Sequence, residues 1–252
     1  MVVQGRKRTV VGDGVFDYAT GDFLVVSLEV PLIGQVTEAS RDVPFVGFGV
    51  RLVAAEIASL LLEAGELSER PNGALPGLAV ARADIGLLQG ANHLVGLLDA
   101  PGDIGILAPL YRRELYWRLL KGSHGPVVRQ IGLADGSLAD IARTVRWIRE
   151  HHRDAIKVEQ LAEMASMSAT SFHRHFRSVT CMTPIQYQKA IRLQEARLAL
   201  ISSPRDVAEV AHAVGYDSSS QFSREYRRQF GAPPGRDASR LRGAQPQPVE
   251  VP

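Results

Sequence analysis

Cysteine is nearly missing from this sequence. Among 252 residues only Cys181 carries a thiol, which excludes an internal disulfide and a cysteine-built zinc site. Histidine is absent before His93, so the strand-rich opening lacks the clustered imidazoles that a metal-dependent barrel enzyme needs. No apolar run reaches the ~18 residues of a bilayer-spanning helix, so no membrane partner is expected. The opening Met1-Val2-Val3-Gln4-Gly5-Arg6-Lys7-Arg8 places its charges after a very short apolar stretch, unlike a signal peptide. A cytoplasmic location is expected. Aromatic residues make up only 6% of the chain, yet 45% is hydrophobic, too much for a disordered protein. The length suits one large domain or, more readily, two smaller ones.

Charge is unevenly spread. Residues 1–134 hold 12 Lys/Arg against 14 Asp/Glu, and residues 135–252 hold 17 against 13. Of those 17 cations only Lys157 and Lys189 are lysines. Arginine suits forked hydrogen bonds to phosphate or guanine, although so small an excess is often a solvated surface.

Short β-rich runs open the chain at Lys7–Val11, Val15–Tyr18, Phe23–Leu28, Leu32–Val36 and Pro44–Leu52, with a hairpin signal at Gly12-Asp13-Gly14. Such spacing suggests a small barrel or jelly roll. Helical periodicity follows over Leu52–Ala64, then a loop over Glu69–Ala79. A helix over Asp84–Leu98 carries the stripe Ile85, Leu88, Asn92, Val95 and Leu98, read first as core packing and second as a face for a partner helix. Further helices are expected from Pro101 to about Leu120 and from about Asp135 to His152, with a domain boundary at Gly132–Gly136.

The last hundred residues hide a repeat. Val158, Leu161, Ala162, Ala165 and Met167 recur 49 positions later as Val207, Val210, Ala211, Val214 and Tyr216. After one inserted residue the offset is 50, and Phe172, Arg174, Phe176 and Arg177 match Phe222, Arg224, Tyr226 and Arg227. Two helix-turn-helix units are implied. Each turn falls at Ser166 or Gly215, and Ser168 and Asp217 are expected to cap the second helices. The aromatic pairs at i and i+4 should bury. The opposite faces would then present Thr170, His173, Arg174 and Arg177 in the first unit, and Ser219, Ser220, Ser223, Arg224 and Arg227 in the second, side chains able to reach base edges or phosphates. The helix Pro184–Ile201, with the stripe Tyr187, Ile191, Gln194 and Leu198, joins the units. His173 and His175 lie at i and i+2, and His151 and His152 are adjacent, so neither makes a ligand pair. No metal or cofactor is expected.

The stretch from Gly215 to Pro234, with Thr183-Pro184-Ile185-Gln186-Tyr187 and Arg192-Leu193-Gln194-Glu195-Ala196-Arg197, resembles the DNA-binding domain of AraC/XylS-type transcriptional regulators. Ser27-Leu28-Glu29-Val30-Pro31 and Leu107–Leu115, with the opening Val3–Arg8, resemble the cupin-like amino-terminal domain of a subgroup of that family. The resemblance implies an α+β chain: a small cupin-like β-barrel or jelly roll with helices over 1–133 for sensing and dimerisation, then an all-α DNA-binding domain over 134–242. Its helix-turn-helix units fall at about 156–180 and 206–230, and a disordered tail over 243–252 follows. It implies double-stranded DNA as partner, two recognition helices in adjacent major grooves, and base-reading roles for Thr170, His173, Arg174, Ser219, Ser220, Ser223 and Arg224. A small-molecule effector, RNA polymerase contact in activation, and a homodimer are further implications.

Two departures stand out. The chain begins within an early strand of that subgroup, which would leave Val2–Val11 as an exposed edge. Cys181 stands where the repeat and the family place glycine, at a cost of about 1 kcal/mol if its φ is positive; a structural role is expected over a reactive thiol. The alternative readings are a constitutive DNA binder whose amino-terminal domain only dimerises, and, more remotely, a cupin-type metalloenzyme fused to a DNA-binding domain.

Overall fold

A computed structural model describes residues 1–65, 76–133, 137–203 and 205–243. The strands β1 (Val2–Gln4), β2 (Arg6–Val11), β3 (Gly14–Ala19), β4 (Asp22–Val26), β5 (Ile33–Glu38) and β6 (Val46–Gly47) come first. Helix α1 (Ala54–Glu63), strand β7 (Leu78–Arg82), α2 (Ile85–Gly96), α3 (Ile104–Lys121) and α4 (Gly125–Gly132) follow. The remainder is helical: α5 (Ser137–Glu150), α6 (Val158–Met164), α7 (Ala169–Thr180), α8 (Pro184–Ser202), α9 (Val207–Ala213), α10 (Ser219–Phe230) and α11 (Pro234–Gly243). The expected α+β order holds: a half with sheets and helices, then an all-helical half.

The strands form three small antiparallel sheets, ordered β3-β2-β5, β1-β6 and β4-β7. Strand β2 pairs on both sides, so residues 6–11 are not the open edge that the sequence suggested. The strand expected over Pro44–Leu52 shrinks to Val46–Gly47. Strand β7 begins inside the expected loop Glu69–Ala79, of which 69–75 lie outside the described residues. Its partner β4 is more than fifty positions away, and such pairing leaves no local mark beside Pro76 and Gly77. Helix α4, with Pro126 in its first turn, was not foreseen. The boundary placed at Gly132–Gly136 falls mostly on 134–136, and the tail on 244–252, both outside the described residues.

The α2 stripe is reversed. Ile85 is 72% exposed and Leu98 75%, with Leu88, Asn92 and Val95 also outward. The buried face is Gly86, Leu87, Gly90 and Ala91. A Cβ at Gly90 would sit in ordinary contact with Leu115, so small residues bring α3 close while the larger ones face away. In α5 the expected Ile141, Val145 and Ile148 are buried as read.

Three apolar cores result. One joins Phe23, Ile57, Leu61, Leu87, Tyr116 and Val128 within the first half. Another joins Leu193, Leu200, Val210, Phe222 and Tyr226. The third crosses the chain, packing Val11 and Leu78 with Ile141, Phe172, Phe176 and Tyr187, and Leu28 and Val30 against them. The β2–β3 turn seats this contact. Asp13 donates its backbone N–H to the Cys181 carbonyl at 3.2 Å, and Arg177 donates to the Asp13 carboxylate at 2.9 Å. Gly12 has φ +55°, and a Cβ there would overlap the Cys181 carbonyl. Tyr187 donates to the Glu29 carbonyl at 2.7 Å, and Arg149 pairs with the Glu29 carboxylate.

Gly12→Ala is expected to lower stability by at least ~1–2 kcal/mol, from positive φ with overlap added. Thermal unfolding checks this; an unchanged melting temperature would mean that the hairpin does not sit on the end of α7.

Candidate nucleic-acid interface

The two helical pairs α6–α7 and α9–α10 are built by the same backbone bonds. The tight turn is closed by Met167 N–H to Ala162 O at 2.9 Å and by Tyr216 N–H to Ala211 O at 3.0 Å. Its middle residue is left-handed in both: Ser166 at φ +55° and Gly215 at φ +93°. Both second helices end on a left-handed residue, Cys181 at φ +58° and Gly231 at φ +79°, each bonded back to Arg177 O or Arg227 O. Cys181 therefore bears the positive φ that its position in the repeat implied. Its thiol is pushed up by burial and by the nearby Asp13 carboxylate, which disfavours the reactive thiolate.

One cap is corrected. Ser168 caps α7 by accepting from Ser171 N–H, as expected, but Ser218, not Asp217, caps α10 by accepting from Gln221 N–H. The inserted residue of the repeat lies before the cap, so Asp217 is the extra one.

Phe172, Phe176, Phe222 and Tyr226 are all fully buried. Burial of those faces turns the other side outward: Thr170, His173, Arg174 and Arg177 are exposed in α7, and Ser220, Arg224 and Arg227 in α10. Ser219 and Ser223 are half-buried. Arg174 and Arg224 make no ion pair among the described residues, whereas Arg177 holds Asp13.

Helix α8 carries the two pairs. Thr183 and Gln186 form a reciprocal capping box at its start. Tyr187 and Ile191 enter the core of the first pair, while Leu193, Ala196 and Leu200 enter the core of the second. Of the expected stripe, Leu198 is exposed. The helix thus has two buried faces, which a single periodic stripe does not describe.

Polar groups missed by the sequence reading lock the second pair. Glu225 accepts from Lys189 at 2.7 Å, Tyr216 at 2.8 Å and Gln221 at 3.1 Å. Asp237, wholly buried, accepts from Arg197 at 2.8 Å, Arg240 at 2.9 Å and Tyr226 at 3.0 Å. Burial pushes the Asp237 carboxyl up, but these hydrogen bonds outweigh it and hold the group below its ordinary value. Only the sequence order Arg197…Asp237 could have hinted at this, and nothing local marks it.

Residues 1–127 match the family described as the amino-terminal part of AraC-type transcriptional regulators. The chain belongs to the AraC-type transcriptional regulators. Residues 161–240 match a helix-turn-helix domain family. Among curated relatives, the chain is similar to the transcriptional activator RhaS of Salmonella arizonae, 33% identical over 171 residues, covering 66% of this chain and 59% of RhaS. RhaS of Salmonella agona is 32% identical over 167 residues, covering 62% of this chain and 58% of RhaS. The matched region thus spans under two thirds of those relatives' length. In fold the chain resembles ToxT of Vibrio cholerae O395, with a TM-score of 0.56 at 9% identity over 95% of this chain and 88% of ToxT.

Asp237→Asn is expected to flatten the acid limb of stability. A carboxyl held below its unfolded value of about 3.9 stabilises the fold above that pH, and the contribution is lost as pH falls through the folded value. Chemical denaturation between pH 3 and 7 checks this; an unchanged pH profile in the variant would remove Asp237 from the account.

Proposed function

We propose that this AraC-type chain is a sequence-specific DNA-binding transcription regulator, an activator like its RhaS relatives, working in the cytoplasm on double-stranded DNA. The observation that carries the reading is the pair of arginine-bearing faces on α7 and α10, each turned outward by buried aromatics and both mounted on one helix. Thr170, His173 and Arg174 read one major-groove segment, and Ser219, Ser220, Ser223 and Arg224 read the next. Arg177 and Arg227 add phosphate contacts and salt dependence. Residues 134–242 form the DNA-binding domain and 1–133 the sensing domain. RNA polymerase is the partner in activation.

The sensing half holds a cavity of about 710 Å3 walled by Phe23, Val25, Phe48, Leu87 and Leu115, with Ser27–Val30 along one side. It is large enough for a small-molecule effector. The same segment meets the helical half through Glu29 and the core contacts of Leu28 and Val30, which supports communication between effector and DNA. The outward face of α2 supports a homodimer. Ile85, Leu88, Asn92 and Val95 follow the three-four spacing of a coiled-coil seam, with a polar residue at one inward position, a device that selects a paired state.

Selection of bound duplexes from random DNA tests the main reading. On the selected site, Arg224→Ala is expected to weaken binding by ~1–3 kcal/mol and relax base choice, with melting unchanged. Equal loss on random duplex would move Arg224 to a phosphate. For the dimer, Leu88→Asp should shift the chain from dimer to monomer in sedimentation; a monomeric parent chain would contradict it.

A further inference from the structure

One guanidinium connects the two helix-turn-helix units. Arg192, on the middle of α8, donates from Nε to the His152 carbonyl at 2.5 Å and from Nη2 to the carbonyls of Arg153 at 3.1 Å and Asp154 at 3.0 Å. Those carbonyls belong to the segment between α5 and α6, which leads into the first unit. From Nη1 it donates to the Gly215 carbonyl at 2.7 Å, in the tight turn of the second unit. It also lies 5.9 Å from the ring centre of Tyr216. Gln188, one turn earlier and buried, donates to the His152 and Asp154 carbonyls at 2.9 and 2.6 Å.

The joint is tight on both sides. Gly215 sits at φ +93°, and a Cβ there would press on the Arg153 backbone and the Arg192 guanidinium. The counterpart turn residue in the first unit is Ser166. Glycine in the second unit therefore answers a close approach as well as a backbone angle. The planar fork of arginine satisfies carbonyls lying in different directions, which the point charge of lysine does not reproduce. Helix α8 sets the distance between the units. Its two separate cores seat each unit on its own face of the helix, and Arg192 ties those two seatings directly to each other.

We infer that Arg192 is a positioning residue for DNA recognition: it brackets the entry of the first unit to the turn of the second and so fixes the spacing and angle at which α7 and α10 meet successive grooves. This rests on the DNA-binding reading above. It concerns geometry between the units, and Arg192 itself does not touch DNA.

The test uses the full chain and a duplex selected from random DNA by the parent protein. Affinity is measured for that duplex and for versions with one base pair inserted or removed between the two contacted segments. The parent should lose 30-fold or more on either altered spacing. Arg192→Lys should bind the selected duplex at least tenfold more weakly, yet lose less than fivefold further on altered spacing, with base choice inside each segment unchanged. Gln188→Met, a milder loosening of the same carbonyls, should fall between the two and guards against an unfolded Arg192 variant. Unchanged spacing discrimination in both variants, despite weaker binding or lower melting, would reduce Arg192 to a merely structural contact. A parent chain that selects no sequence would instead overturn the DNA-binding reading, and the inference with it.

Discussion

Burying two aromatic rings one helical turn apart decides which side of a helix meets solvent. In α7 the rings are Phe172 and Phe176, and in α10 they are Phe222 and Tyr226. Each pair removes a large apolar area from water, at about 25 cal/mol per Å2. No rotation of either helix could expose the rings without losing that contribution. The outward placement of Arg174 and Arg224 follows from the burial and needs no separate cause. The repeated backbone bonds, from the turn closures to the left-handed ends, hold both helices in one local frame.

The first unit is not free of the rest of the chain. Its core continues into the amino-terminal sheets through Val11 and Leu78, and the end of α7 is held by Asp13. The second unit has its own core and is held through α8, Asp237 and Glu225. The two units therefore stand in different relations to the amino-terminal half. Glu29 touches Arg149 on α5 and Tyr187 on α8, both packed with the first unit, whereas the core of the second unit holds no residue of the amino-terminal sheets among the described residues.

Much of the helical half was legible in the sequence, because local periodicity and capping residues govern it. Phe172 and Phe222 announced their faces through i,i+4 spacing, and Gly215 announced its turn. Asp217 misled because an insertion of one residue looks the same on either side of a cap. The α2 stripe misled for a deeper reason. Periodicity shows that a face is apolar, not what covers it, and here Gly86, Gly90 and Ala91 form the buried face by being small. Strand β7 and the bonds from Arg192, Glu225 and Asp237 depend on partners tens of residues away, which no local pattern encodes. Among the candidate contacts, Arg177 alone gains an ion-pair partner among the described residues, Asp13, which sequence reasoning had no means to supply.

Hydroxyl-radical footprinting of the full chain on a selected duplex tests the twin-helix claim most directly. Two protected stretches on one face, about one helical turn or ~10–10.5 base pairs apart, are the expected result. A single protected stretch, or two on opposite faces of the duplex, would contradict it.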